Sequence, residues 1–293
     1  MTNVLVIGAG ELGQSLTGLL HKNPSLVIEG WDKDVTKLPG QKPLMELASW
    51  AEVVLLCIPS WGMRSVLQET ASAISGNITV SFAKGIESKA NETMIELLHD
   101  VVPSVIAGVV GGPMLAEEIE AGLMTRGMVG GDKAVGETVS RLFAGTNLSF
   151  DWTQDAQGVC LSGVLKNVYA VGFGIADTLK LGSNFNGILM TQALKEMAQV
   201  LPLLGAHATT AYSLAGAGDL ITTGFSDFSR NRVCGKQLAQ TGTCNMDSEG
   251  MISIPYLLAR LEGHDLPPFL AVMKGILMDK VDVKKSFANL GQA

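Results

Sequence analysis

The run Asn3-Val4-Leu5-Val6-Ile7 is short, apolar and β-branched; it stops at Gly8, and a helical pattern of Leu12, Leu16, Leu19 and Leu20 follows at once. A strand, a glycine turn and a helix in immediate succession form the first half of a βαβ unit, in which parallel strands need covering helices. The same alternation continues, with strands predicted at 26–31, 53–58, 78–82 and 104–110 and helices at 61–74 and 90–99 between them. Strands that are nearly continuous in apolar residues are buried on both faces, so the first half of the chain predicts an α/β fold with a mainly parallel sheet.

Past Asp151 the β-branched runs disappear and longer helical patterns take over, at 154–180, 187–203, 231–240 and 250–262. Gly, Ser and Thr cluster between Ser213 and Ser229, which reads as a loop around a short helix start. The predicted organisation is therefore an N-terminal sheet domain over 1–152 and an all-helical domain over 153–293. The stretch 156–176 is apolar enough to suggest a membrane span, yet Lys166 sits at its middle. Inserting that charge would cost about 2.5–3.5 kcal/mol, so a buried helix is the better reading and no membrane insertion is expected.

Composition removes several function classes. The formal net charge is −7 with no run of Lys or Arg, which leaves no basic footprint for nucleic acid or anionic lipid. With 47% hydrophobic residues the chain has ample material for a core. Cys57, Cys160, Cys234 and Cys244 form no C-x-x-C pair and the four histidines lie far apart, so neither a zinc site nor a disulfide framework is indicated and no metal is expected. Met1-Thr2-Asn3 leads straight into the first strand without the basic region of a signal peptide, and a cytoplasmic, reducing setting is the expectation.

Gly8-Ala9-Gly10-Glu11-Leu12-Gly13 matches G-x-G-x-x-G, a pattern that 34 glycines would produce by chance fairly often. Its context gives it weight: it follows a strand, opens a helix, and is succeeded 19 residues later by Asp32 at the end of the second strand. Such glycines let the backbone approach a pyrophosphate, which the N–H groups and partial positive charge of the helix start then hold. Asp32 would accept hydrogen bonds from the adenosine ribose hydroxyls and repel a 2′-phosphate, favouring NAD over NADP, with Lys33 next door softening that preference.

Three further positions carry chemistry. Lys84, in Ser81-Phe82-Ala83-Lys84-Gly85, stands at the carboxyl end of a predicted strand, where open α/β sheets bind ligands. Lys166 is a single charge in a stretch that otherwise demands burial, and a buried ammonium needs a partner or a purpose; Asp219, in Gly218-Asp219-Leu220-Ile221-Thr222-Thr223, is a candidate partner. Ser229-Arg230-Asn231-Arg232 sits at a predicted helix start, where Arg and Asn side chains and backbone amides can grip a phosphate. Ser229 is equally suited to be a plain N-cap.

Taken in order, the segments VIGAGELG, LLCIPSWGMRSVL, FAKGIE, GGPMLAEEI, GVLKNVYAVGFGIADTLKLG, AGAGDLITTGFSDFSRNR and SEGMISIP resemble the NAD(P)-dependent glycerol-3-phosphate dehydrogenase family in its bacterial cytoplasmic form. The resemblance spans nearly the whole chain and implies a Rossmann-type domain followed by a helical substrate domain. It implies reduction of dihydroxyacetone phosphate to glycerol 3-phosphate or the reverse, with NAD or NADP as cofactor, in a homodimer. Lys166 looks like the family's catalytic lysine, supported by Lys84 and Asp219. Substrate contacts fall on Lys84, Gly112, Lys166, Asp219, Thr223, Ser229, Arg230 and Asn231. Cofactor contacts fall on Gly8, Gly10, Glu11, Leu12, Gly13, Asp32, Pro59, Lys84, Ala116, Arg230 and Glu249.

This chain also departs from the family pattern. Met114 stands where a serine usually touches substrate, Leu115 loosens the segment after it, Cys160 replaces a glutamate, Leu12 replaces a tryptophan, and the region between Asp34 and Ala51 is short. Two other readings stay open at this stage. One is a ketopantoate-reductase-like enzyme, with Arg230 and Asn231 holding a carboxylate; the other is a nicotinamide-binding sensor without turnover.

Overall fold

The computed structural model describes residues 1–290 and divides into two compact units, Met1–Cys160 and Leu161–Ala293, the division falling inside a long helix. In the first unit the chain runs β1 (Thr2–Ile7), α1 (Glu11–Leu20), β2 (Leu26–Trp31), α2 (Leu44–Trp50), β3 (Val53–Leu56), α3 (Ser60–Thr70) and β4 (Ile78–Ser81). A short hairpin follows, β5 (Ile86–Glu87) against β6 (Glu92–Thr93), and then α4 (Met94–Val101), β7 (Ile106–Gly111), α5 (Ala116–Glu120), β8 (Thr125–Gly131), α6 (Lys133–Leu142) and β9 (Leu148–Thr153).

The sheet has the order β2-β1-β3-β4-β7-β8-β9 and is parallel except where β7 meets β8. It is the mainly parallel α/β sheet that the apolar strands predict. Val4, Val6, Val53, Leu55 and Val80 from neighbouring strands are buried in one core with Leu16, Leu19 and Leu20 of α1. Since β1 pairs with β2 on one side and β3 on the other, the strand order reverses at its carboxyl end, and the glycine turn Gly8–Gly13 lies at that reversal.

Several boundaries differ from the sequence expectation for visible reasons. The helix expected from residue 90 begins at Met94, because Glu92 and Thr93 are taken by the hairpin, and Thr93 with Glu96 then forms a capping box. The strand expected from residue 104 begins at Ile106, after Pro103. The sheet also continues beyond Val110: β8 (TRGMVGG) and β9 (LSFDWT) carry too many glycines and polar residues to stand out as strands.

The second unit is helical. It contains most of α7 (Ala156–Thr178), then α8 (Gly182–Leu203), a 3₁₀ turn (Ala208–Tyr212), a π turn (Leu214–Gly218), α9 (Asp219–Phe225), α10 (Arg230–Thr241), α11 (Glu249–Arg260), α12 (Pro268–Leu277) and α13 (Val283–Leu290). Among the described residues α7 is the one helix long and apolar enough to cross a membrane, and its apolar span is buried throughout. Gly174 of α7 and Gly235 of α10 bring these helices backbone to backbone: a Cβ at Gly235 would stand 1.9 Å from the carbonyl oxygen of Val171. Asn231, near the start of α10, reaches Asn167, the residue after Lys166 on α7.

One sequence expectation is corrected here. Cys234 of α10 and Cys244 form a disulfide, with Cα atoms 5.3 Å apart. The helix ends on Gly242 in the left-handed region (φ 76°), which turns the chain back so that residue 244 meets residue 234. A pairing made by a helix cap leaves no spacing signature, which is why the absence of C-x-x-C did not reveal it.

Candidate functional site

The candidate residues fall into clusters, each within one unit. In the first unit, Gly13 packs so closely on the turn that a Cβ there would lie 1.9 Å from the Gly8 carbonyl oxygen. Gly10, the N-cap of α1, behaves differently: a Cβ there would meet no protein atom within 4 Å. Gly13 is thus demanded by the protein's own packing. Gly10 keeps open a space above a helix N-terminus that a pyrophosphate fits.

That space belongs to a cavity of about 480 Å³ bordered by Gly8, Gly10, Glu11, Leu12, Asp32 and Pro59 among others. Asp32 is buried at the carboxyl end of β2. Its Oδ2 accepts the Ala9 N–H at 2.6 Å and its Oδ1 accepts the Asp34 N–H at 2.8 Å. Each oxygen keeps a lone pair, so a ribose diol still finds an acceptor. Sequence reasoning passed over two cavity residues, Lys37 and the half-exposed Trp61, because neither belongs to the glycine fingerprint. Pro59 caps α3 from the same wall. Ala116, also proposed on the cofactor side, is buried at the start of α5, and its carbonyl accepts the Ser15 hydroxyl at 3.4 Å.

Lys84 follows β4, and its Nζ donates to the Gly112 carbonyl at 3.1 Å, just past the end of β7. These two candidates therefore meet at the carboxyl edge of the sheet. The segment that carries Lys84 continues into the hairpin, which Arg64 of α3 clamps by contacts to Glu87 (3.2 Å) and Glu92 (2.6 Å), with Asp100 of α4 at 3.0 Å. Burial alone would push the Glu87 carboxyl up, but hydrogen bonds from Arg64 and from the Ala90 and Lys89 N–H groups hold it below its usual range. The Met114 side chain is packed in the unit's core with Val110, Ile119 and Val129. Cys160 is buried too, and desolvation pushes its thiol up to about 12.

In the second unit Lys166 lies on α7, 6% exposed, with its Nζ donating to Thr223 Oγ1 at 2.7 Å and standing 3.3 Å from Asp219 Oδ1. Asp219 and Thr223 are one turn apart on α9, so a single helical face presents both. The Thr223 hydroxyl in turn donates to Asp219 Oδ1 at 3.3 Å. An ammonium held by one carboxylate and one hydroxyl has its charge balanced and its position fixed.

At the start of α10, Ser229 acts as the N-cap, its hydroxyl oxygen accepting the Arg232 N–H at 3.2 Å. Arg232 is engaged by Asp177 and Asp227. Asn231 is buried and both ends of its amide are taken: Nδ2 donates to Asn167 Oδ1 at 2.8 Å and Oδ1 accepts the Gly250 N–H at 2.9 Å. Asn231 thereby ties the residue after Lys166 to the residue after Glu249, a bridge that sequence spacing does not show. Arg230 is exposed at the first helical position, next to the N–H groups of the α10 start. Of the four residues in S-R-N-R, its guanidinium is the one best placed to meet an incoming anion.

Comparisons with known proteins show the family of the chain. The family described as NAD-dependent glycerol-3-phosphate dehydrogenase matches by its N-terminal part over residues 35–134 and by its C-terminal part over residues 155–288. The glycerol-3-phosphate dehydrogenase [NAD(P)+] of Azotobacter vinelandii is 34% identical over 260 residues, covering 81% of this chain and 76% of the relative. That of Ectopseudomonas mendocina is 32% identical over 307 aligned residues, covering 94% and 90%. The crystal structure of glycerol-3-phosphate dehydrogenase from Coxiella burnetii shares the fold, with a TM-score of 0.88 at 24% identity over 100% of this chain and 99% of that one. This chain belongs to the NAD-dependent glycerol-3-phosphate dehydrogenase family.

Proposed function

We propose that the chain interconverts dihydroxyacetone phosphate and sn-glycerol 3-phosphate, using NAD or NADP, with Lys166 as the general acid and base. The observation that carries this reading is the buried ammonium of Lys166, held between Asp219 and Thr223 in an otherwise apolar helix. The glycine turn and Asp32 would hold the dinucleotide of a reduced nicotinamide cofactor, which would supply the hydride.

As hydride reaches the ketone carbon, negative charge gathers on the carbonyl oxygen. The Lys166 ammonium stabilises that charge and delivers the proton that completes the alcohol. In the reverse direction the neutral amine accepts the hydroxyl proton. Asp219 and Thr223 hold the amine at one position through both states, and by the family resemblance Lys84, fixed by Gly112, gives electrostatic support. Arg230 and the α10 N–H groups hold the phosphate, which adds binding energy remote from the reacting carbon. Asp32 makes NAD the preferred cofactor, since its carboxylate binds a ribose diol and repels a 2′-phosphate. A homodimer in the cytoplasm completes the reading, and it rests on the family resemblance.

The test is oxidation of NADH and of NADPH by the purified protein with dihydroxyacetone phosphate and with unphosphorylated dihydroxyacetone. Saturable oxidation confined to the phosphorylated ketone is expected, with a higher kcat/KM for NADH. Equal rates with both ketones would remove the phosphate grip. Turnover only with a ketoacid would favour the carboxylate reading in its place.

A further inference from the structure

Asp32 explains a preference for the unphosphorylated ribose, yet the same cavity carries two lysines on the side where a 2′-phosphate would stand. Lys33 and Lys37 both line it, and Lys37 Nζ lies 3.6 Å from Asp32 Oδ2. The position of Lys37 is built in. After β2 the chain makes a tight loop in which Asp34 accepts the Thr36 N–H (3.0 Å) and hydroxyl (2.6 Å), and the Lys37 N–H donates to the Asp34 carbonyl at 3.1 Å. Gln41 closes the loop, its side chain accepting the Asp32 N–H at 2.8 Å and donating to the Asp32 carbonyl at 2.7 Å. The result returns Lys37 over the carboxylate from five residues further along.

The two partners differ in freedom. Asp32 is buried and fixed by the Ala9 and Asp34 N–H groups, so it cannot withdraw from a ligand without leaving those donors unpaired. The Lys37 side chain is 43% exposed, and an exposed ion pair of this kind is held weakly enough to exchange partners. Resting on the deduction that this cavity takes the adenosine end of the cofactor, we infer that Lys37 sets how well the 2′-phosphorylated cofactor is accepted. With a ribose diol in place the ammonium stays on Asp32 and orients its carboxylate. With a 2′-phosphate in place it moves to the dianion and screens it from the carboxylate behind. Lys37 is thus a specificity-determining residue, and its loss costs the phosphorylated cofactor far more than the other.

The test is calorimetric binding of ADP-ribose and of 2′-phospho-ADP-ribose, which differ only in that phosphate, to the full chain and to Lys37→Ala, Lys37→Arg and Lys33→Ala. The expected result is about tenfold weaker binding of the 2′-phosphorylated probe by Lys37→Ala, with ADP-ribose changed by less than about threefold. Lys37→Arg restores the phosphorylated probe, and Lys33→Ala has the smaller effect. Equal weakening of both probes by Lys37→Ala would make it loop scaffold and overturn the inference. So would a loss that follows Lys33→Ala instead, or no change at all. Failure of the unaltered protein to bind either probe would overturn the cofactor reading itself, and the inference with it.

Discussion

Gly10 and Gly13 sit three residues apart in one motif and serve different ends. Gly13 answers to the protein, because any side chain there would overlap the Gly8 carbonyl. Gly10 does not, because a Cβ there would meet nothing within 4 Å, and the proposed function gives that open space to the pyrophosphate. Gly13→Ala should therefore lower stability by at least about 2 kcal/mol, as expected for forced overlap at a packed turn. Gly10→Ala should stay within about 1 kcal/mol of the unaltered chain while weakening NADH binding at least about tenfold. Urea unfolding and NADH fluorescence titration of the two variants check the contrast; two similar unfolding midpoints would refute it. At this scale the site was legible in part. Lys166 announced itself as a charge in an apolar stretch, and Asp219 as its candidate partner. The engagement of Asn231 by Asn167 and Gly250 was not legible, because it depends on three helices meeting.

The hairpin that follows Lys84 illustrates how an element is held by charge rather than by length. Two residues per strand cannot sustain a hairpin alone, and Arg64 supplies the missing cohesion through Glu87 and Glu92. Since the folded Glu87 carboxyl titrates below its ordinary value of 4.5, its contribution is present above that pH and is lost as the pH falls through the folded value. Glu87→Gln should therefore flatten the loss of stability on acidification below about pH 4.5, read from urea midpoints across pH. An unchanged acid slope would contradict the assignment. The strands and long helices were legible from apolar runs and helical periodicity. The hairpin, β8 and β9 were not, because pairing partners far away in sequence, and not propensity, make them strands.

Across the whole molecule, the covalent state of the chain is a direct check on its second unit. The structure joins Cys234 to Cys244 and leaves Cys57 and Cys160 free. Thiol titration of protein unfolded without reductant should accordingly count two thiols, and four after reduction. Finding four at the outset would contradict the disulfide. Reduction should lower the stability of the helical unit by roughly 2–4 kcal/mol, the usual contribution of a closed loop. The candidate residues divide with the two units: the glycine turn and Asp32 lie in the first, Lys166 and its partners in the second.

The central claim is that Lys166 transfers the proton that accompanies hydride transfer. Its most direct test is the single-turnover rate of NADH oxidation by Lys166→Ala with saturating dihydroxyacetone phosphate, alongside NADH affinity by fluorescence. A fall of about 10²–10⁴-fold in the rate, with NADH affinity unchanged within about twofold, is the predicted result. Normal turnover in that variant would remove Lys166 from the mechanism.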